Sequence, residues 1–173
     1  CGFNVSNPEK MSGGNKHSGS TLLTLDVDSN GTKELVLGDI SFRNLLLLYN
    51  NDVTTDFTGS NIISQDTLFP SNNLSTTPVD INVFPAGYYL DINNNNVKDL
   101  VVSNNCEFGC ENDNNIWYYE NIHATNKPDF NLMKTSFLQE DMIEVGEGAH
   151  PVFFDYNSDG LKDIIIQKEM FGE

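Results

Sequence analysis

Basic residues are scarce in this chain: 9 lysines and arginines stand against 25 aspartates and glutamates, giving a formal net charge of −16. So acidic a surface repels polyanions, which argues against nucleic acid as a partner. Long apolar runs are missing too. The run Leu45–Tyr49 in "NLLLLYN" falls far short of the roughly 18–20 residues a membrane helix needs, so no membrane span is expected. No stretch carries apolar residues at sustained helical spacing. No secretory leader is legible at the start, and the abrupt termini at Cys1 and Glu173 are expected of a fragment of a longer protein. Cysteine occurs three times, as Cys1, Cys106 and Cys110. Four tetrahedral ligands do not gather around "CEFGC", which argues against zinc. Cys106 and Cys110 either close a small disulfide loop in an oxidising compartment or remain free thiols. Cys1 is left to pair outside this sequence or to carry a lipid.

What the chain does have is enough for one packed domain: 173 residues, 38% hydrophobic and 10% aromatic. It also repeats. "TLDVDSNGTKELVL" begins at Thr24, "YLDINNNNVKDLVV" at Tyr89 and "FFDYNSDGLKDIII" at Phe153. Their first aspartates, Asp26, Asp91 and Asp155, are spaced by 65 and 64 residues, a period that marks an array of similar supersecondary units. A second landmark, "NLLLLYN" at Asn44 and "NIWYYEN" at Asn115, is spaced by 71. The six-residue excess falls where "CEFGC" lies, so the cysteine pair reads as a loop insertion in one repeat.

Short β-branched or aromatic runs flank each loop: "STLLTLDV", "AGYYLDI" and "PVFFDY" before, "ELVLGDI", "DLVVSN" and "DIIIQ" after. "NLLLLYN", "NIWYYENI" and, more weakly, "TSFLQEDMIEV" add further strands. The expected class is all-β, in units of about four short antiparallel strands, the anatomy of propeller blades. The repeats span approximately 18–82, 83–147 and a truncated 148–173 within one partial domain of 1–173.

Within each loop the oxygen-bearing residues keep register. Side chains come from Asp26, Asp28 and Asn30; from Asp91, Asn93 and Asn95; and from Asp155, Asn157 and Asp159. Position 6 is Gly31, Asn96 or Gly160, residues that tolerate positive φ. Position 7 would offer the backbone carbonyls of Thr32, Val97 and Leu161, and position 9 the carboxylates of Glu34, Asp99 and Asp163. Calcium takes 6–8 oxygens, and these loops can supply such a set. An EF-hand is excluded, because position 12 is Leu37, Val102 or Ile166 where that motif needs a glutamate. Asx-turns without metal would account for one such loop; three in register favour Ca2+, at two to three sites. The Asp91 loop is expected to bind most weakly, since it carries only two formal negatives and replaces glycine with Asn96.

These loops resemble the FG-GAP/VCBS repeats of integrin-α-type propellers, with their D-x-[DN]-x-[DN]-G-x-x-D-[LI]-[VI] signature. The chain is also similar to VCBS-repeat surface proteins of Bacteroidota exported by the type IX secretion system. The resemblance implies a calcium-braced propeller on a secreted or cell-surface protein. Its expected partners are a protein or glycan at the cell surface, together with the rest of the parent polypeptide or another chain to complete the ring. It also makes "DTL" at Asp66–Leu68 resemble an O-glycan acceptor, with Thr67 as the modified residue, against an ordinary polar loop.

An enzyme is not expected. A glycosidase needs two carboxylates across a cleft, whereas the clustered acids are already explained by the loops. His17, His123 and His150 accompany no nucleophile elbow, HExxH or phosphate loop. At period two, half the rings of "IWYYEN" should face a core, which favours packing over sugar stacking for Trp117. The expected role is a calcium-stabilised extracellular binding or adhesion scaffold. The alternative is a carbohydrate-binding propeller module attached to a polysaccharide-degrading enzyme.

Overall fold

The computed structural model describes residues 19–51, 61–71, 76–105, 110, 112–123, 127–143, 145 and 148–168. Every regular element among them is a strand: β1 Ser20–Leu25, β2 Glu34–Asp39, β3 Leu45–Asn50, β4 Ile62–Phe69, β5 Pro85–Leu90, β6 Asp99–Asn104, β7 Ile116–Asn121, β8 Phe130–Lys134, β9 Ala149–Phe154 and β10 Asp163–Lys168. The protein is therefore all-β. Strands β1–β4 form one antiparallel sheet in sequence order and β5–β8 a second; β9 and β10 form a hairpin. None of these sheets closes on itself. No helix among the described residues is long and apolar enough to cross a membrane.

The repeat written in the sequence is a repeat of strand register. Leu35 pairs with Leu48 and Val36 with Leu47 in the first sheet. Leu100 pairs with Tyr119 and Val101 with Tyr118 in the second. The β2–β3 connection is residues 40–44 and the β6–β7 connection residues 105–115, so the longer one holds the six-residue excess. Strands β4 and β8 have no clear pattern of their own. Pairing with β3 and β7 makes them strands, through ladders broken by register shifts. The segment expected as a strand at "TSFLQEDMIEV" instead turns after a single bridge at Ser136, because Gln139 and Met142 donate their N–H groups back to Ser136 and Gln139.

The core lies between the two sheets. Leu25, Val36, Leu45, Leu47 and Phe69 of the first meet Leu100, Val102, Tyr119 and Phe130 of the second, with Val79 and Ile81 of the connecting segment sealed between them. Phe130 meets Phe69 and Tyr89 edge-on, at 6.0 and 6.1 Å, a favourable quadrupole arrangement. The sheets use opposite faces. Val36 and Leu47 point inward in the first, yet their counterparts Val101 and Tyr118 point outward in the second. This stacking is head-to-tail. It leaves Leu22, Leu35, Leu37, Leu46 and Leu48 on one outer face and Tyr88, Leu90, Val101 and Tyr118 on the other, all partly or well exposed. Strand β9 is exposed along its length, and no residue of the third hairpin joins the core.

The sheets come close together at Gly38. A Cβ there would lie 1.7 Å from the carbonyl oxygen of Pro85 and 2.4 Å from Thr21 Oγ1. That same carbonyl accepts a hydrogen bond from Thr21 Oγ1 at 2.7 Å. The obstacle is backbone and cannot rotate away, so Gly38→Ala must separate the sheets. It should lower unfolding free energy by about 2 kcal/mol or more in urea melts, whereas Gly19→Ala, with open space around its Cβ, should change it little.

Candidate metal centre

Each oxygen-rich loop is the turn of a hairpin, joining β1 to β2, β5 to β6 and β9 to β10. The first aspartate organises each one. Asp26 accepts the N–H groups of Ser29 (2.6 Å) and Gly31 (3.0 Å). Asp91 accepts those of Asn95 (3.1 Å) and Asn96 (2.8 Å), and Asp155 those of Asp159 (3.1 Å) and Gly160 (2.9 Å). Position 5 then accepts the N–H of position 7: Asn30 from Thr32 at 2.7 Å, Asn95 from Val97 at 2.7 Å and Asp159 from Leu161 at 2.8 Å. These Asx-type bonds curl the chain around its own carboxylates.

The curl requires left-handed backbone at two positions. Gly31, Asn96 and Gly160 have φ of 88°, 67° and 88°, as position 6 demanded. Ser29, Asn94 and Ser158, at position 4, have φ of 65°, 60° and 62°. Sequence reasoning did not find this second site, because serine carries no strong signal for that conformation.

Position 9 has a role beyond donating charge. Its carboxylate accepts the N–H of position 2 and clasps the loop shut. Glu34 Oε2 does so from Val27 at 2.6 Å, Asp99 Oδ2 from Ile92 at 3.2 Å and Asp163 Oδ2 from Tyr156 at 2.9 Å. Asp99 is fully buried and satisfied: its Oδ1 accepts the N–H of Asn121 at 2.9 Å and its Oδ2 the Tyr118 hydroxyl at 3.3 Å. Burial, then the nearby charge of Asp99, pushes the Tyr118 hydroxyl up to about 12.

Glu34 differs. It is fully buried, and its second oxygen, Oε1, has no hydrogen-bond partner. Oxygens of Asp26, Asp28 and Glu34 lie within 4.8 Å of one another. Among the described residues no other group of three carboxylates, histidines or cysteines comes so close. Burial, and then repulsion from Asp28 and Asp26, raises the Glu34 carboxyl above its usual range, against the stabilising Val27 N–H. An ionised carboxylate buried beside two others with one oxygen unbonded costs several kcal/mol unless it takes up a proton or a cation compensates it. The donors are all oxygen, which suits a hard cation such as calcium. The other two loops do not reach this state. The second has two carboxylates. The third has three, Asp155, Asp159 and Asp163, but they are not drawn together.

Two supporting residues escaped sequence reasoning. Asn50 Nδ2 donates to the Lys33 carbonyl at 3.3 Å and Asn121 Nδ2 to that of Lys98 at 3.1 Å. Each stands at the end of the third strand of its sheet and holds the loop's exit. Their spacing of 71 residues was the available signal. Asn121 is 4% exposed, and its Oδ1 also accepts the N–H groups of His123 and Asp129.

Thr67 is exposed on β4, and its carbonyl accepts Asn44 Nδ2 at 2.8 Å. Cys110 is disulfide-bonded, with its partner outside the described residues, as are Cys106, Cys1 and His17. Trp117 packs against the core and donates its Nε1 proton to the Asn114 carbonyl at 2.8 Å. Comparison with known proteins finds no matching family model, curated protein or solved structure.

Two outcomes are expected. Asn121→Ala should cost about 1–3 kcal/mol in denaturant melts by orphaning buried backbone groups. In chelator, the Glu34 contribution to stability should be greatest below pH 4.5, the carboxyl's ordinary value. It should fall as pH rises through the raised folded-state value, because the unfolded chain gives up its proton first. Glu34→Gln should abolish that fall, be more stable than wild type in chelator at pH 7, and gain less from added calcium.

Proposed function

We propose that the two four-stranded sheets and the third hairpin are successive blades of an incomplete calcium-binding β-propeller of the FG-GAP/VCBS type. The repeats run approximately 18–82, 83–147 and 148–173. The propeller acts as an extracellular binding or adhesion scaffold on a secreted or surface-anchored protein. The ions are structural. The observation that carries this reading is the buried, partnerless Oε1 of Glu34 facing the carboxylates of Asp26 and Asp28. A sequence that places an extra methylene at this position, leaving an anionic oxygen sealed and unbonded, is explained by a cation in the loop.

Head-to-tail stacking supports the propeller. The interface between the first two sheets joins one kind of face to the other, and each sheet keeps its complementary face open, so the same contact can be made again at both ends. Closing the ring then falls to the rest of the parent polypeptide or another chain. Because the loops join strands within a sheet, ion binding becomes folding free energy and holds strands in register. The clustered acids are used by the turns, and catalysis is not part of this reading.

Calorimetry tests it. The melting temperature should rise with the logarithm of free calcium and fall on chelation. Titration with Asp26→Asn, Asp91→Asn and Asp155→Asn variants should assign the tightest site to the Asp26 loop and the weakest to the Asp91 loop. Identical melting in millimolar calcium and in chelator would remove the proposal.

A further inference from the structure

Two apolar faces of the stack are left uncovered by the described residues. On the first sheet Leu22, Leu35, Leu37, Leu46 and Leu48 point away from the core; on the second Tyr88, Leu90, Val101 and Tyr118 do. Phe137 lies against the Tyr118 ring at 5.0 Å and widens the second patch. Leu22 is 67% exposed, Tyr88 48% and Leu90 52%. Apolar side chains gathered in this way mark an interaction surface, whereas the same residues scattered singly would not.

The two faces are the two halves of a contact the chain already makes. Inside the stack, Leu23, Leu25 and Val36 of the first sheet face Gly87, Leu100 and Val102 of the second. Moving 65 residues forward, one repeat, carries Leu23 to Tyr88, Leu25 to Leu90 and Val36 to Val101. Moving 65 back carries Gly87 to Leu22, Leu100 to Leu35 and Val102 to Leu37. The open face of the second sheet therefore repeats the receiving side of the internal contact, and the open face of the first repeats the docking side. Within one chain they lie at opposite ends of the stack and cannot meet. The third hairpin is two strands wide and none of its residues joins the core, whereas the open face of the second sheet runs across β5, β6 and β7.

We propose that a second copy of this chain covers these faces, the outer face of the first sheet in one copy docking on the outer face of the second sheet in the next. The contact is heterologous, so it propagates into a ring or an open chain of copies. It does not reproduce the internal spacing. Gly38 and Gly87, which admit the Pro85 carbonyl and Leu23 inside the stack, correspond to Ser103 and Leu22 on the open faces. The sheets of two copies thus meet through side chains, at the roughly 10 Å usual for packed sheets. The formal net charge of −16 on each copy opposes the approach. The inference deepens the scaffold reading and rests on its head-to-tail stacking, not on the ion; the second copy takes the place that the third hairpin would fill as a next blade.

Sedimentation velocity of the full chain tests it, in calcium at about 0.15 M salt and from micromolar to near-millimolar protein. The mass should rise with concentration, and added salt should strengthen the association by screening like charge. Leu22→Asp and Tyr88→Asp change exposed positions on the two faces. Each should weaken self-association by about tenfold or more and keep the melting temperature. Mixed together they should form a 1:1 dimer that grows no further, because the intact first face of the Tyr88→Asp copy meets the intact second face of the Leu22→Asp copy. Four results would overturn the proposal: a wild type that stays monomeric throughout, either variant associating alone as the wild type does, a mixture that forms no dimer, or association that salt weakens. A monomer whose melting temperature still rises with calcium would remove this contact and keep the metal reading.

Discussion

Repulsion among Asp26, Asp28 and Glu34 is the constraint on which the amino-terminal hairpin depends. Three carboxylates are held within 4.8 Å by a single turn of nine residues, 26–34. Backbone N–H groups relieve part of the charge, and they do so by bending the chain into left-handed conformations at Ser29 and Gly31. What they leave unrelieved is Glu34 Oε1. The same architecture at Asp99 ends differently. A shorter side chain meets Asn121 and Tyr118, and its charge is spread over three donors. One methylene group thus separates a turn that leaves a carboxylate oxygen unbonded from one whose carboxylate is fully bonded.

The turns matter to the rest of the molecule because they sit where sheet formation begins. Each joins the first two strands of its sheet, and its exit is tied to the end of the third strand by Asn50 or Asn121. Loop shape, strand register and the inward direction of the core residues are therefore coupled. A slip of one residue would exchange the two faces. Since the sheets stack on unlike faces, that exchange would also remove the interface at Gly38 and Pro85.

The seam between the sheets is not packed uniformly. Packing is dense where Gly38 admits the Pro85 carbonyl and looser toward the first loop, where Phe69 and Phe130 meet at an angle and a cavity opens beside Asp28. The first oxygen-rich turn and the cavity therefore share a boundary, and residues of both sheets line that cavity.

The hairpins and their turns were legible in the amino-acid order, because local bonds decide them: Asp26, Asp91 and Asp155 each capture N–H groups within five residues. The six-residue excess before Ile116 likewise announced the longer β6–β7 connection. Edge strands β4 and β8 were not legible, since pairing across the sheet, not their own pattern, makes them strands. Nor could spacing alone distinguish Glu34 from Asp99. Both fill position 9, and only the packed structure shows which oxygen is left without a donor. The choice of faces was beyond the sequence for the same reason. Alternation says that two faces exist, whereas which one is buried depends on contacts between residues some 65 positions apart in the chain.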